Sequence, residues 1–196
     1  MIAFMDQEPR TIVLLGRSGS GKDTQMALLK ERLDSVMVVG TGDLVRSLRK
    51  RPTLIGRKTR ELYDAGGLLP AWLASYLWQR ELADNLEGNE HLIFPSSPRR
   101  TAEAEELDEV MAWLDRKLPE AVLIDITDDE AVRRILKRSR DASDNEADIR
   151  ERLAWFQKDV LSTITYYESK GRLHHINGMG TVEEIFDRIQ RALGLT

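Results

Sequence analysis

The sequence lacks cysteine altogether and has only three histidines. Disulfides, thiol chemistry and cysteine-ligated zinc are therefore excluded, and the histidines do not form the H-E-x-x-H pattern of a helical zinc site. No apolar run is long enough to span a bilayer. The first residues contain neither a basic segment nor a long apolar run, so we expect no signal peptide and a cytoplasmic protein.

An excess of charge of one sign is also missing. The formal net charge is −4 over 196 residues, which gives no sign of general binding to nucleic acid. Hydrophobic residues make up 41% of the chain and charged residues 32%, proportions typical of a globular protein. The length suits one domain with a substantial core.

The clearest motif is a glycine-rich segment that follows the apolar run 11–15. It reads Gly16-Arg17-Ser18-Gly19-Ser20-Gly21-Lys22-Asp23-Thr24. Glycines let backbone amides approach phosphate oxygens, and the N-terminus of the helix that follows favours an anion. Lys22 adds a mobile positive charge. The segment therefore predicts a phosphate-binding loop, with Asp23 where the usual pattern has serine or threonine and Thr24 one place later.

Five apolar runs, at 11–15, 35–39, 90–94, 121–126 and 172–176, alternate with helical patterns. This alternation predicts an α/β fold, a three-layer α/β/α arrangement around a five-stranded parallel sheet. Ligands bind such sheets at the carboxyl ends of the strands. The phosphate-binding loop and the segments 41–43 and 96–100 each follow a strand, so we expect them to meet in one crevice.

Helices are expected from the phosphate-binding loop to about Leu33, over 71–86, 101–117 and 145–169, after Thr127, and from Thr181 onward. Asp43 is a candidate N-cap, and Thr127 with Glu130 has the pattern of a capping box. Residues 47–69 are polar and give little core signal. Arginines are concentrated after Thr127, and their planar forks suit phosphate oxygens; the basic residues there are Arg133, Arg134, Lys137, Arg138 and Arg140.

Taken in order, these landmarks resemble the adenylate kinases, a family of nucleoside monophosphate kinases, over about residues 11–195. The segments that carry the resemblance are 21–25, 41–46, 67–70, Pro98-Arg99, Arg134 with Arg138, and Arg152. The resemblance implies a P-loop core with two attached parts, a small helical monophosphate-binding subdomain at 41–70 and a short lid at 139–145. It also implies the reversible conversion of MgATP and AMP into two ADP. The short lid and the single continuous architecture suggest a monomer, and we expect no nucleic-acid or membrane partner.

The resemblance also assigns roles to residues. Those that match the ATP site are Gly19, Ser20, Gly21, Lys22, Asp23, Thr24, Arg134, Arg138 and Gly180. Those that match the AMP site are Thr41, Arg46, Gly67, Leu68, Leu69, Arg99, Glu103, Arg140 and Arg152. The implied catalytic set is Lys22, Arg99, Arg134, Arg140 and Arg152. No direct protein ligand to Mg²⁺ is implied; the metal is held by the ATP phosphates, with Asp23 or Thr24 as candidates for contact through water.

Three positions depart from the family pattern. Pro95 replaces an aspartate that helps to order water around magnesium, and Asp23 replaces a small residue. We hypothesise that Asp23 partly restores the lost carboxylate; the opposing possibility is that it repels phosphate and slows the enzyme. Glu103 replaces a glutamine that reads the adenine of AMP, and a carboxylate accepts hydrogen bonds but cannot donate one. Thr41 favours AMP, because relatives selective for UMP and CMP more often carry alanine there.

Three alternatives remain open at this point. One is a kinase of the same fold that acts on a pyrimidine monophosphate, UMP or CMP. Another is a nucleotide-binding homologue with little catalysis, which Pro95 and Asp23 motivate. The third is a P-loop hydrolase, for which the sequence offers no clear water-positioning residue.

Overall fold

The computed structural model describes residues 8–65, 67–95, 97–138, 153 and 160–195. Its sheet contains five strands: β1 (Thr11–Leu15), β2 (Val36–Val38), β3 (His91–Phe94), β4 (Glu120–Asp125) and β5 (Leu173–Asn177). They lie in the order β2-β3-β1-β4-β5, and every neighbouring pair is parallel. The predicted α/β fold with a five-stranded parallel sheet is confirmed.

Helices connect the strands and continue beyond the last one. They are α1 (Lys22–Arg32), α2 (Thr41–Leu48), α3 (Leu54–Asp64), α4 (Ala71–Asn85), α5 (Thr101–Trp113), α6 (Asp128–Arg138), α7, described over 160–169, and α8 (Val182–Leu193). None of the described helices has both the length and the apolar character that a membrane crossing requires.

Two separate cores, one on each face of the sheet, hold the layers together. Alternate β1 residues face opposite sides because side chains alternate along a strand. Val13 and Leu15 pack with Trp78 and Tyr167, on the face covered by α4, α5 and α7. Ile12 and Leu14 belong to the second core, on the face covered by α1 and α8; the residues that these helices contribute are Leu29, Ile185, Ile189 and Leu193. Buried strands flanked by helices on both sides form the predicted three layers.

A third apolar cluster lies apart from the sheet cores. It joins α2 to α4 and contains Val45, Leu48, Leu73 and Leu77. On the far side of α2, Gly56 lets α3 approach closely, since a Cβ there would lie 2.3 Å from the carbonyl oxygen of Arg51. The segment from α2 to α3 is thus fixed mainly by its own contacts and by α4.

Two predictions about helix ends are wrong, and one helix was not predicted. Asp43 is not the N-cap of α2, because the helix already begins at Thr41 and Gly40 holds the cap position. The helix predicted over 101–117 ends at Trp113. Asp115 has a φ of 54°, and the amide of Arg116 donates to the carbonyl of Met111 at 2.9 Å, which is the geometry of a Schellman stop.

The helix that the residue pattern did not predict is α3, which lies within the polar stretch 47–69; only the resemblance, with its helical subdomain at 41–70, implied helix there. Its N-cap is Thr53, whose hydroxyl accepts from the amide of Gly56 at 3.1 Å. The apolar residues at its start stay exposed, Leu54 by 64% and Ile55 by 46%. A helix without a buried apolar stripe gives little core signal in the sequence, and the Thr53 cap was the signal available.

Candidate active site

The glycine-rich loop connects β1 to α1 at the carboxyl edge of the sheet, as predicted. Gly16 has a φ of 148°, and a Cβ there would lie 2.7 Å from the carbonyl oxygen of Ile124 and from Ser20 Oγ. Gly19 has a φ of 81°, and a Cβ there would lie 3.0 Å from the carbonyl oxygen of Ala131 in α6. The sequence needs glycine at both positions, because the loop is folded tightly against β4 and α6.

The N-terminus of α1 is arranged to receive an anion. Gly21 is the N-cap residue, with a φ of 95°, and it provides no side-chain cap to the first amides of the helix. These amides and the helix dipole therefore point at the loop. Lys22 Nζ lies over the same loop, hydrogen-bonded to the carbonyl of Gly16 and, at 3.2 Å, to that of Arg17. Amides and an ammonium group around one loop are the donor set that phosphate oxygens require.

Arg134 connects the loop to two other elements. Its Nη1 lies 3.4 Å from the carbonyl oxygen of Ser20, and its Nη2 lies 2.9 Å from that of Gly178. Its Nε donates to Glu130 at 2.6 Å. Arg133 on the same helix also pairs with Glu130 but is 64% exposed, whereas Arg134 is 21% exposed. Hydrogen bonds from these two arginines lower the pKa of Glu130 to about 2.

The turn that follows β5, which contains Gly180, lies beside this arginine. The amide of Gly178 donates to the carbonyl of Asp125 at 2.8 Å, and a Cβ on Gly178 would lie 2.7 Å from Ile126. Arg188 of α8 donates to the carbonyls of Asn177 at 2.7 Å and Met179 at 2.6 Å. The backbone of this turn is therefore fixed from both sides, and Arg188 is a site residue that was not predicted.

Arg17 is a second residue that the sequence reasoning missed. Its guanidinium pairs with Asp128 at the start of α6 and lies 3.7 Å from Asp125 at the end of β4. Arg17 therefore holds the phosphate-binding loop against the neighbouring strand and helix. The place of Arg17 within the glycine-rich segment was the available signal. Its two aspartate partners could not be identified from it, because they come more than a hundred positions later in the sequence.

A hollow of about 120 Å³ lies where β2 and β3 end. Thr41 and Ser97 meet there through a hydrogen bond between their hydroxyls, which confirms that the segments after these two strands converge. The lining residues are Thr41, Gly42, Val45, Tyr63, Gly67, Leu68, Leu69, Ala74, Ser97, Arg99, Arg100 and Glu103. They include six of the residues predicted for the AMP site; Ser97 and Arg100 belong to the segment 96–100 that was expected to reach this crevice, and Tyr63 was not predicted.

Arg46 borders this hollow without lining it. It lies on α2, and a Cβ on Gly42 would be 3.4 Å from its Nη1. Arg46 pairs with Asp43, one turn earlier on the same helix. The hydrogen bond to Asp43 raises the pKa of Arg46 above its usual value. The guanidinium is therefore fully charged and lies beside a residue of the hollow.

Glu103 lies at the other side of the hollow and is only 2% exposed. One carboxylate oxygen accepts from the amide of Arg99 at 3.0 Å, and the other accepts from Arg100 Nη1 at 3.2 Å. Arg100 Nη1 also donates to the carbonyl of Leu69 at 2.9 Å. The start of α5 is thereby tied to the Gly67–Leu69 segment across the hollow.

The candidate magnesium contacts lie on α1. Asp23 and Thr24 are exposed residues of its first turn. Within the described parts of the chain, no three histidine, aspartate or glutamate side chains come together as a metal site. The carboxylate of Asp23 and the hydroxyl of Thr24 are oxygen donors of the kind that suits Mg²⁺ or its bound water.

Several predicted residues cannot be placed. Arg140, Arg152 and the lid at 139–145 lie outside the described residues. Arg138 is the last residue of α6, and its side chain is likewise outside what the structure describes. The long helix predicted over 145–169 is described at 153 and 160–169, where Leu153, Val160 and Tyr167 are buried as its apolar stripe predicts.

Comparison with known proteins agrees with this geometry. The sequence profile of the family described as adenylate kinase matches residues 14–172. An adenylate kinase of Thermus thermophilus is 34% identical over 189 residues, covering 95% of this chain and 98% of the relative. One of Thermobifida fusca is 32% identical over 185 residues, covering 93% and 97%. One of Phocaeicola vulgatus is 31% identical over 185 residues, with the same coverage. The chain therefore belongs to the adenylate kinase family of phosphotransferases.

Proposed function

We propose that this chain transfers a phosphoryl group reversibly from MgATP to AMP, giving two molecules of ADP. The observation that carries the proposal is the position of two features at one edge of the sheet. The first is the glycine-rich loop with the uncapped N-terminus of α1, beyond β1. The second is the hollow beyond β2 and β3. Since β3 is the direct neighbour of β1, a donor and an acceptor nucleotide would meet with their phosphates between the two.

In this proposal the ATP phosphates bind the loop residues Gly19, Ser20, Gly21, Lys22, Asp23 and Thr24. The contacts of Lys22 with two loop carbonyls are ones that an ammonium group can exchange for phosphate oxygens. Arg134, Arg138, Arg140 and Arg152 would surround the transferred group, and the backbone at Gly180 would meet the ATP base. The contacts of Arg134 with Ser20 and Gly178 support its assignment, because they place a charged fork between the loop and the turn.

AMP would occupy the hollow that lies beyond β2 and β3. Thr41, Gly67, Leu68, Leu69 and Glu103 would contact the nucleoside, while Arg46 and Arg99 would bind its phosphate. Two arginines near one hollow in a chain of net charge −4 support an anionic ligand, since guanidinium forks pair with phosphate in a bidentate manner. Phosphoryl transfer then needs in-line positioning, neutralised charge and exclusion of water, with little covalent help from the protein.

Magnesium bound to the ATP phosphates would neutralise the charge that develops on the transferred group. Asp23 is the residue that we propose to reach this metal through water, with Thr24 beside it. Its support is its place in the first turn of α1, next to Lys22, in a chain that carries Pro95 instead of an acidic residue after β3.

We also propose the domain division that the resemblance implies. The chain would be one P-loop domain, 1–196, with a monophosphate-binding subdomain at 41–70 and a short lid at 139–145. The apolar cluster shared by α2 and α4 supports the first of these parts, because it is separate from both sheet cores. A monomer in the cytoplasm completes the proposal, and light scattering on the purified protein would test the monomer.

The test is a coupled assay with MgATP and each of AMP, CMP, UMP, GMP and dTMP. We expect turnover with AMP. Turnover confined to UMP or CMP would favour a pyrimidine monophosphate kinase. Tight binding of a bisubstrate dinucleotide with negligible turnover would favour a binding protein, and ATP hydrolysis without an acceptor would favour a hydrolase.

Lys22→Ala is the matching variant for this assay. It removes the ammonium group from the loop while leaving the helix N-terminus unchanged. We expect transfer to fall by roughly 10²-fold or more, as when a preorganised electrostatic group is lost, with an unchanged circular dichroism spectrum. Full activity in this variant would place the chemistry elsewhere.

A further inference from the structure

The side of the acceptor hollow formed by α5 is built from a fixed ion pair. Glu103 is 2% exposed yet lines the hollow. Its two oxygens are held by the amide of Arg99 at 3.0 Å and by Arg100 Nη1 at 3.2 Å. Arg100 is held in turn by the carbonyl of Leu69, at 2.9 Å. A carboxylate and a guanidinium therefore face the same space in a defined geometry.

The hydrogen-bonding capacity of this pair is specific. A carboxylate only accepts, with about four lone-pair sites on its two oxygens. Among the described residues, the contacts of Glu103 to Arg99 and Arg100 use one site on each oxygen, and a carboxylate oxygen can accept a second donor. A guanidinium only donates, and it has five N–H groups. The pair can thus bind a partner that offers two adjacent donors and an acceptor beside them.

Guanine offers that combination on its Watson–Crick edge, and adenine does not. Guanine presents N1–H and the N2 amino group as donors next to the O6 acceptor. Adenine presents one amino group next to the lone pair of N1, which cannot pair with a carboxylate oxygen. A buried polar group that faces an unsuitable partner costs free energy, because it has lost its hydrogen bonds to water without gaining new ones. With Glu103 in this position, the preference for guanine over adenine is therefore stronger than it would be with a neutral amide side chain.

We propose that Arg100 and Glu103 read the base of the acceptor and let this chain phosphorylate GMP as well as AMP. The inference rests on the proposed function, since it takes the hollow as the monophosphate site. In the step itself, a phosphate oxygen of GMP forms a bond to the γ-phosphorus of ATP. The bond from that phosphorus to the β,γ-bridging oxygen breaks. The products are GDP and ADP, and because the phosphate of GMP is already a dianion, no proton is transferred.

The test compares kcat/KM for AMP, GMP and IMP in the full chain with MgATP. IMP keeps N1–H and O6 but lacks the N2 amino group, so it isolates one contact to Glu103. We expect turnover of GMP, with GMP about 10-fold ahead of IMP, since hydrogen bonds to charged groups are the stronger class. Glu103→Gln should shift the ratio of GMP to AMP by about 10-fold or more towards AMP. Glu105→Gln, at an exposed position of the same helix, is the matched control and should leave the ratio unchanged.

The outcomes separate this inference from the proposed function. Turnover of AMP without GMP, equal use of GMP and IMP, or an unchanged ratio in Glu103→Gln would overturn the inference and leave the AMP kinase intact. Absence of turnover with every monophosphate would overturn both. If Glu103→Gln fails to fold by circular dichroism, the comparison of GMP with IMP in the wild type decides. Arg100→Lys, which keeps the charge but loses the fork, should then also lower the ratio of GMP to AMP.

Discussion

At the scale of single residues, the most informative departure is the carboxylate of Asp23. It lies in the first turn of α1, where a negative charge stabilises the helix but also lies close to the place proposed for the ATP phosphates. Only a bound metal ion would turn this repulsion into attraction. We therefore expect Asp23 to favour ATP binding when magnesium is bound and to oppose it when magnesium is absent.

We expect Asp23→Gly to raise the magnesium concentration needed for half-maximal rate, because a water-mediated contact to the metal is lost. Asp23→Asn, which keeps the shape and removes the charge, should have a similar effect. The measurement is the initial rate over a magnesium titration at fixed ATP. If both variants keep the rate and the magnesium dependence of the wild type, the hypothesis is wrong; if both are faster, Asp23 repels phosphate.

Arg133 and Arg134 provide a second residue-scale prediction, because they share one partner but differ in position. Both bind Glu130, yet only Arg134 also contacts Ser20 and Gly178. We expect Arg134→Met to lower kcat by roughly 10²–10³-fold, as for loss of a preorganised charge at the transition state. Arg133→Met should stay within about threefold of the wild type, since an exposed ion pair contributes little. Equal losses in the two variants would contradict the assignment.

At the scale of elements, the Glu130 carboxylate holds Arg133 and Arg134 of its own helix α6, and Arg134 in turn contacts the phosphate-binding loop at Ser20. The pKa of Glu130 is about 2 in the folded protein and 4.5 ordinarily. Between these values the unfolded chain binds more protons, so the free energy of unfolding rises with pH in that window. The contribution of Glu130 is therefore fully present above about pH 5 and is lost as the pH falls through 2.

We expect the melting temperature of Glu130→Gln to lie below that of the wild type at pH 7, and the difference to shrink from pH 5 to pH 3. Thermal scans at pH 7, 5, 4 and 3 measure it. A difference that stays constant over this range would mean that the carboxylate charge is not what stabilises α6.

The elements also differ in how well the sequence predicts them. The strands are predictable, because each coincides with an apolar run: β1 is buried at all five residues, while the edge strands β2 and β5 are only partly buried. The helix α3 is not, because its stability comes from a cap at Thr53 and a close contact at Gly56 rather than from a buried stripe. The start of α2 was misassigned to Asp43 because propensity favours an acidic N-cap, whereas the chain turns into the helix at Gly40.

At the scale of the whole molecule, topology decides which parts of the site are predictable. Parallel strands bring their carboxyl ends to one edge, so the meeting of Thr41 with Ser97 could be expected from order alone. The contacts of Arg17 with Asp128 and of Arg188 with the 177–179 turn could not. They depend on how α6 and α8 are rotated against the sheet, and side-chain packing sets that rotation.

The same topology leads to a prediction about the whole molecule. One ligand should occupy both the phosphate-binding loop and the hollow beyond β2 and β3. We expect a bisubstrate dinucleotide, two adenosines joined by an oligophosphate, to bind with a stoichiometry of one per chain. At 1,000 times its Kd it should stabilise the fold by about 4 kcal/mol. For a domain of this size that corresponds to a rise in Tm of about 8–16 °C. Calorimetry gives the stoichiometry and thermal scans the shift. Lys22→Ala should weaken binding and reduce the rise in Tm, because it removes the ammonium group from the loop proposed to hold the phosphates. A rise in Tm no larger than that with ATP alone, or two molecules bound per chain, would mean that the loop and the hollow do not form a single cleft.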